Sequence, residues 1–297
     1  MYDEIAANRW RSSLLIVIFF ALIILLGLGL GAFYGNQWFG IIFSIIIGIT
    51  YFLISYYHGS SFILSMSKAQ EAQKPEYTQL LNTVEGLAIA AGLPQVPKVY
   101  VIDDSALNAF ATGRDPQHAS ITVTTGLLKK MNKLELEGVL AHELSHIKNF
   151  DIRVMMLAAV LVGIAVLLSD FLLRSFLWGG KQGRKDDNGS GALFILLGVI
   201  LAVLAPLIGQ LIQLAISRKR EFLADASGAL LTRYPKGLAD ALHKIKNDPD
   251  PLVDTANKAT APLYISIPFR RNNSSWLQSL FSTHPPIEER IKRLEGM

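Results

Sequence analysis

The chain has 297 residues, 51% hydrophobic and only 18% charged, with a net charge of +4 and no cysteine. A balance this apolar, with a positive mean hydropathy, excludes an ordinary soluble domain. The lack of cysteine fits a reducing compartment, and no nucleic-acid partner is expected.

No Asp, Glu, Lys or Arg occurs between Ser12 and Ser67, and Gly35-Asn36-Gln37 divides that interval into Ser13 to Phe33 and Trp38 to Tyr57. Each stretch is long enough to cross a hydrocarbon core of about 30 Å as a helix. The first is too long for the apolar part of a cleaved signal, and a second follows at once. Beyond them, Gln73 to Ala91 reads as a helix stopped by Gly92 and Pro94, and Lys98 to Ile102 and Ser120 to Thr124 read as strands.

From Asn132 to Asp151 the pattern is helical. Asn132 is the expected N-cap with Glu135 three residues on, and Leu134, Leu136, Val139, Leu140, Leu144 and Ile147 form an apolar stripe. Within this helix stands Ala141-His142-Glu143-Leu144-Ser145-His146-Ile147. Side chains at i and i+4 share a face, so His142 and His146 both reach one metal, while Glu143 is angled toward a water on it. The competing reading is a structural helix without metal, which would bury two imidazoles and a carboxylate at a cost.

Two further apolar stretches, Val154 to Leu173 and Gly191 to Ile216, flank a Gly-, Lys- and Asp-rich loop and raise the predicted crossings to four. Asp170, Pro206, Gln210 and Gln213 make them less pure, and a re-entrant hairpin is the alternative. Arg9, Arg11, Lys148, Arg153, Arg218, Lys219 and Arg220 lie on one side and the first hairpin turn carries no basic residue, which assigns that side to the cytoplasm. Arg174, Lys181, Arg184 and Lys185 vote the other way and leave full crossing of the second hairpin open. The expected organisation is an N-terminal transmembrane hairpin at 1–57, a first protease part at 58–153, a second hairpin at 154–216 and a second protease part at 217–297. The fold class is a mainly α integral membrane protein, four transmembrane helices with a discontinuous α+β zincin-like domain and a small β-sheet.

A catalytic zinc takes three protein ligands and leaves one position open. Lys148 and Asn149 exclude a metzincin continuation. The position roughly twenty residues downstream, where a thermolysin-type enzyme carries Glu, falls in an apolar stretch without one. The best candidate follows the fourth stretch, in Arg218-Lys219-Arg220-Glu221-Phe222-Leu223-Ala224-Asp225. Glu221 and Asp225 share a helix face, so Glu221 can bind metal while Asp225 accepts the other ring proton of a liganding histidine. A solvated charge cluster at a helix end is the alternative. Farther on, Pro235 to Ile245 reads as a helix, Asp248 to Trp276 as a long loop that is either a lid or a connector, and Pro286 to Leu294 as a short helix with Ile287, Ile291 and Leu294 on one face.

Four segments together resemble the HtpX-type membrane zinc metalloproteases, relatives of the CAAX prenyl endopeptidases. They are Asn108-Ala109-Phe110-Ala111-Thr112-Gly113, the stretch Ala141 to Asn149, Ser217 to Asp225, and Thr283-His284-Pro285-Pro286. The resemblance implies one Zn2+ on His142, His146 and Glu221, Glu143 as catalytic acid and base, an active site at the cytoplasmic face and a role in membrane-protein quality control. It further implies that Asn108, Ala109, Phe110 and Ala111 belong to an edge strand onto which extended substrate adds. A local turn capped by Asn108 is the plain alternative for that segment. His284, stiffened by Pro285 and Pro286, is expected to donate to the oxyanion, against a packing role ahead of the last helix.

Expected substrates are membrane proteins or unfolded polypeptides beside the bilayer. Prenylated-peptide processing is the runner-up within enzymes. A catalytically silent zinc-dependent scaffold would have no need of Glu143, and a small transporter would need more polar spans than these.

Overall fold

A computed structural model describes residues 2–158, 218–248, 265 and 285–297. Two long helices open it, α1 (Tyr2–Tyr34) and α2 (Gln37–Met66). They are joined at Gly35, whose φ of 69° is open to glycine, and Asn36 caps α2 by accepting from Phe39 N. Ala6–Leu25 and Gln37–Met66 are long and apolar enough to cross a membrane. Helix α2 continues well past Tyr57, because its last turns re-enter protein and bury Ile63 and Leu64. The expected third and fourth spans lie outside the described residues, apart from a helical stretch at 151–158.

The part that follows α2 begins with β1 (Gln70–Glu71), α3 (Thr78–Ala91), β2 (Lys98–Ile102), β3 (Ala109–Gly113) and β4 (Ala119–Thr124). The sheet order is β1-β2-β4-β3, with β2 and β4 parallel and the other pairs antiparallel. Helix α3 starts later than the pattern at Gln73 predicts, since the residue before Pro75 is disfavoured in helical conformation. It ends as expected, with Gly92 left-handed at φ 68°. Strand β3 is an edge, and Ala109, Phe110 and Ala111 are buried in it.

After α4 (Thr125–Lys130) comes α5 (Lys133–Lys148), started by a full capping box: Asn132 Oδ1 accepts from Glu135 N at 3.0 Å, and Glu135 Oε2 accepts from Asn132 N at 2.7 Å. Leu134, counted in the apolar stripe from sequence, is half exposed, and the buried face begins at Glu135. Helix α5 also stops short of the predicted Asp151. Asn149 is its C-cap and Phe150 turns to φ 62° before the chain becomes helical again at 151.

Against α5 pack α6 (Arg218–Thr232), α7 (Pro235–Lys246) and, through them, α8 (Ile287–Glu295), with Pro286 as N-cap. Two glycines permit these close approaches: a Cβ at Gly228 would stand 3.0 Å from His142 N, and one at Gly138 would stand 2.6 Å from Leu238 N. One apolar core runs through α3, the sheet, α5, α7 and α8, with Val84, Ile121, Val123, Val139, Leu140 and Leu242 fully enclosed.

Candidate metal centre

Helix α5 presents His142, Glu143 and His146 from a buried turn, with 0%, 2% and 5% of their surface exposed. Burying these groups singly is costly, so each must find a partner. Helix α6 supplies them. Its small residues Ala224 and Gly228 let it lie flush against α5, which carries Glu221 and Asp225 to the histidine pair.

The two Nε2 atoms lie 3.1 Å apart, His146 Nε2 lies 3.5 Å from Glu221 Oε1, and His142 Nε2 lies 3.8 Å from Glu221 Oε2. Donors about 2.0–2.1 Å from a tetrahedral zinc are spaced about 3.3 Å from one another. The observed separations bracket that value, and ligand atoms of the three residues lie within 4.8 Å of one another. Among the described residues the donor set therefore fits three corners of a tetrahedral metal.

Both outer ring nitrogens are engaged. His142 Nδ1 lies 2.9 Å from Asp225 Oδ1, and His146 Nδ1 lies 2.8 Å from Asp151 Oδ2. A carboxylate on Nδ1 holds the proton there and leaves Nε2 free to coordinate. Burial pushes the Asp225 carboxyl up, but the Arg290 guanidinium and His142 outweigh it and hold it at about 2. For His146, burial pulls the ring down, yet the hydrogen bond to Asp151 and the charges of Glu221, Asp151 and Glu143 raise it to about 9.

Arg290 and Asp151 are the residues that sequence reasoning missed. Fully buried Arg290 grips Asp225 with two hydrogen bonds, Nε to Oδ2 at 2.9 Å and Nη2 to Oδ1 at 2.7 Å, and places Nη1 3.7 Å from Glu221 Oε2. Its sequence signal was an arginine on the same face as Ile287, Ile291 and Leu294. The signal for Asp151 was an acid at the threshold of an apolar run. A continuous helix would turn residue 151 well away from the face of His146, and the break at Phe150 brings it back.

Of the other sequence candidates, Asn108 is buried just before β3, with its side-chain Oδ1 accepting from Ala109 N at 3.0 Å. Strand β3 packs beside α5. Its outer edge is met by the chain itself, since Ile265 N donates to Ala109 O at 2.9 Å and Ile265 O accepts from Arg290 Nη1 at 3.4 Å. His284 lies outside the described residues.

A His-Glu-x-x-His helix that meets a second helix carrying a carboxylate is the arrangement of a metallopeptidase site. Residues 74–297 match the model of Peptidase family M48, and the chain belongs to that family. Over its whole length it is similar to proteins named "Protease HtpX homolog". It is 45% identical to the one from Dictyoglomus turgidum over 296 residues, covering 94% of that protein. It is 43% identical to the one from Lactobacillus helveticus over 304 residues, covering all of it. The fold is shared with the crystal structure of S. mikatae Ste24p at a TM-score of 0.53 and 21% identity, over 99% of this chain and 67% of that one.

Proposed function

We propose that this M48 peptidase is a zinc endopeptidase of the cell membrane that cuts membrane proteins or unfolded chains at the cytoplasmic face. In this reading His142, His146 and Glu221 hold the ion. The observation that carries it is the convergence of two Nε2 atoms and one buried carboxylate at tetrahedral spacing, with a second carboxylate, Glu143, next to the first histidine. When bound, zinc supplies Lewis acidity, which brings the pKa of water to about 7.

Glu143 does the proton work: it takes a proton from the attacking water and delivers it to the leaving amine. Asp225 keeps the His142 proton on Nδ1, and Arg290 keeps Asp225 ionised and in place. His284 is proposed as a donor to the developing oxyanion. Extended substrate is proposed to add to β3 along Asn108 to Ala111 through main-chain hydrogen bonds, taking the place of Ile265 on the Ala109 carbonyl. Such binding reads backbone more than side chains, which suits quality control of diverse polypeptides.

The placement near the bilayer is supported by chain geometry. Residue 151 begins a helix whose buried face packs on α1, only five residues beyond His146. Conversion of Glu143→Gln, with zinc content and cleavage of a quenched fluorescent peptide measured together, tests the reading. Full zinc occupancy with turnover reduced at least a hundredfold is expected. Substantial cleavage by a zinc-replete variant would remove Glu143 from the chemistry.

A further inference from the structure

The carboxylate on His146 is tied to an element far from the peptidase motif. Asp151 Oδ2 takes His146 Nδ1 at 2.8 Å, while its Oδ1 accepts from Arg220 Nη2 at 2.6 Å and from Asn8 Nδ2 at 2.6 Å. Arg220 directly precedes Glu221, the proposed third ligand. Asn8 belongs to the start of α1, is completely buried, and also donates to Asn149 O at 2.8 Å, the cap of the metal helix. Its own Oδ1 accepts from Arg11 at 3.1 Å, which fixes which end of the amide faces Asp151. One carboxylate thus joins the metal helix, the Glu221 helix and the first membrane helix.

The contact is built. Leu15, Phe19 and Ile23 of α1 pack on Val154, Leu157 and Ala158 just beyond Asp151, so apolar burial holds α1 in register with this polar junction. Arg9 lies over the Phe150 ring at 5.5 Å, steadying the left-handed residue on which the return of Asp151 depends. A side chain locked on both oxygens directs its hydrogen bond to one place, which is what orienting a ligand requires.

We propose that Asp151 is a positioning residue for His146 and that Asn8, reaching from the first membrane helix, sets Asp151, so that α1 is a working part of the metal centre as well as an anchor. The inference rests on His146 being a metal ligand. It assigns α1 a measurable share of zinc affinity: loss of the Asp151 carboxylate weakens zinc about ten- to a hundredfold, and loss of the Asn8 amide weakens it about three- to tenfold. Because Asn8 acts through Asp151, the second loss vanishes once Asp151 is gone.

The test is a double-mutant cycle on the full-length protein in detergent, with zinc affinity read by competition with a chromophoric chelator at fixed pH. Asn8→Ala is expected to lower affinity in the otherwise wild-type chain and to change it less than twofold in the Asp151→Ala background. An unchanged affinity for Asn8→Ala, or an equal loss in both backgrounds, overturns the proposal. Should Asp151→Ala not yield folded protein, the visible spectrum of cobalt-loaded Asn8→Ala decides: altered ligand-field bands support repositioning of His146, and a wild-type spectrum overturns it. His146→Ala serves as the separate check on the ligand assignment. If it still binds zinc with full affinity, the metal site itself has been misread, whatever Asn8 does.

Discussion

At the residue scale, the centre is a balance of buried charge. Glu143, Glu221, Asp225 and Asp151 are all buried, and Arg290 and Arg220 are the buried cations beside them. Breaking such a pair by removing one partner leaves an uncompensated charge, which costs about 3–5 kcal/mol. Arg290→Met is therefore expected to destabilise the protein by about 3 kcal/mol, seen as a lower thermal midpoint, while Lys292→Met on the exposed face of the same helix leaves it nearly unchanged. The titrations give a second prediction. His146 in the metal-free protein sits at about 9, above its ordinary 6.5, so its contribution to stability is full below pH 6.5 and is lost as pH rises through 9. Asp225, at about 2 against 3.8, contributes above about pH 4 and loses its contribution toward pH 2. Chelator-treated protein should thus melt progressively lower between pH 6.5 and 9. Zinc must displace the His146 proton, so its affinity should rise about tenfold per pH unit across that window.

At the element scale, two junctions make the site. One is the crossing of α5 and α6, where Gly228 allows backbone-to-backbone approach beside His142. A Cβ there meets main-chain atoms that have nowhere to go, so Gly228→Ala is expected to cost about 1–3 kcal/mol and to weaken zinc binding by displacing Glu221 and Asp225 as a unit. Parallel unfolding and zinc titrations check it, and an unchanged zinc affinity would show that α6 shifts without disturbing its carboxylates. The other junction is the break at Asn149 and Phe150, which ends α5 earlier than its apolar pattern suggests. The pattern continues because residues beyond the break are also buried, Val154, Leu157 and Ala158 against α1 and Ile152 and Met155 in the main core. Periodicity reports burial and is silent about which partner provides it.

At the scale of the whole molecule, two apolar helices precede the peptidase part and the chain re-enters an apolar stretch directly after the metal helix. The proposed cytoplasmic placement of the peptidase part predicts, from the basic residues on that side, that the α1–α2 turn lies on the other side of the membrane. The chain has no cysteine, so single substitutions report cleanly. Gly35→Cys should react with an impermeant maleimide added to intact cells, whereas exposed Glu85→Cys on α3 should react only after the membrane is opened. The reverse pattern would place the peptidase part on the outer side.

Much of this was legible without coordinates. Spacing by four put His142 with His146 and Glu221 with Asp225, Asn132 and Glu135 marked the start of α5, and Gly92 marked the end of α3, because caps and helix faces are local properties of the chain. Tertiary structure decided what locality cannot encode. It chose which imidazole each carboxylate meets, giving Asp225 to His142 and Asp151 to His146. It drew Arg290 from the far end of the chain onto Asp225, placed Ile265 on the edge of β3, and brought Asn8 across to the metal helix. Those partners are set by close packing of distant helices, and a buried charge accepts whichever neighbour the packing delivers.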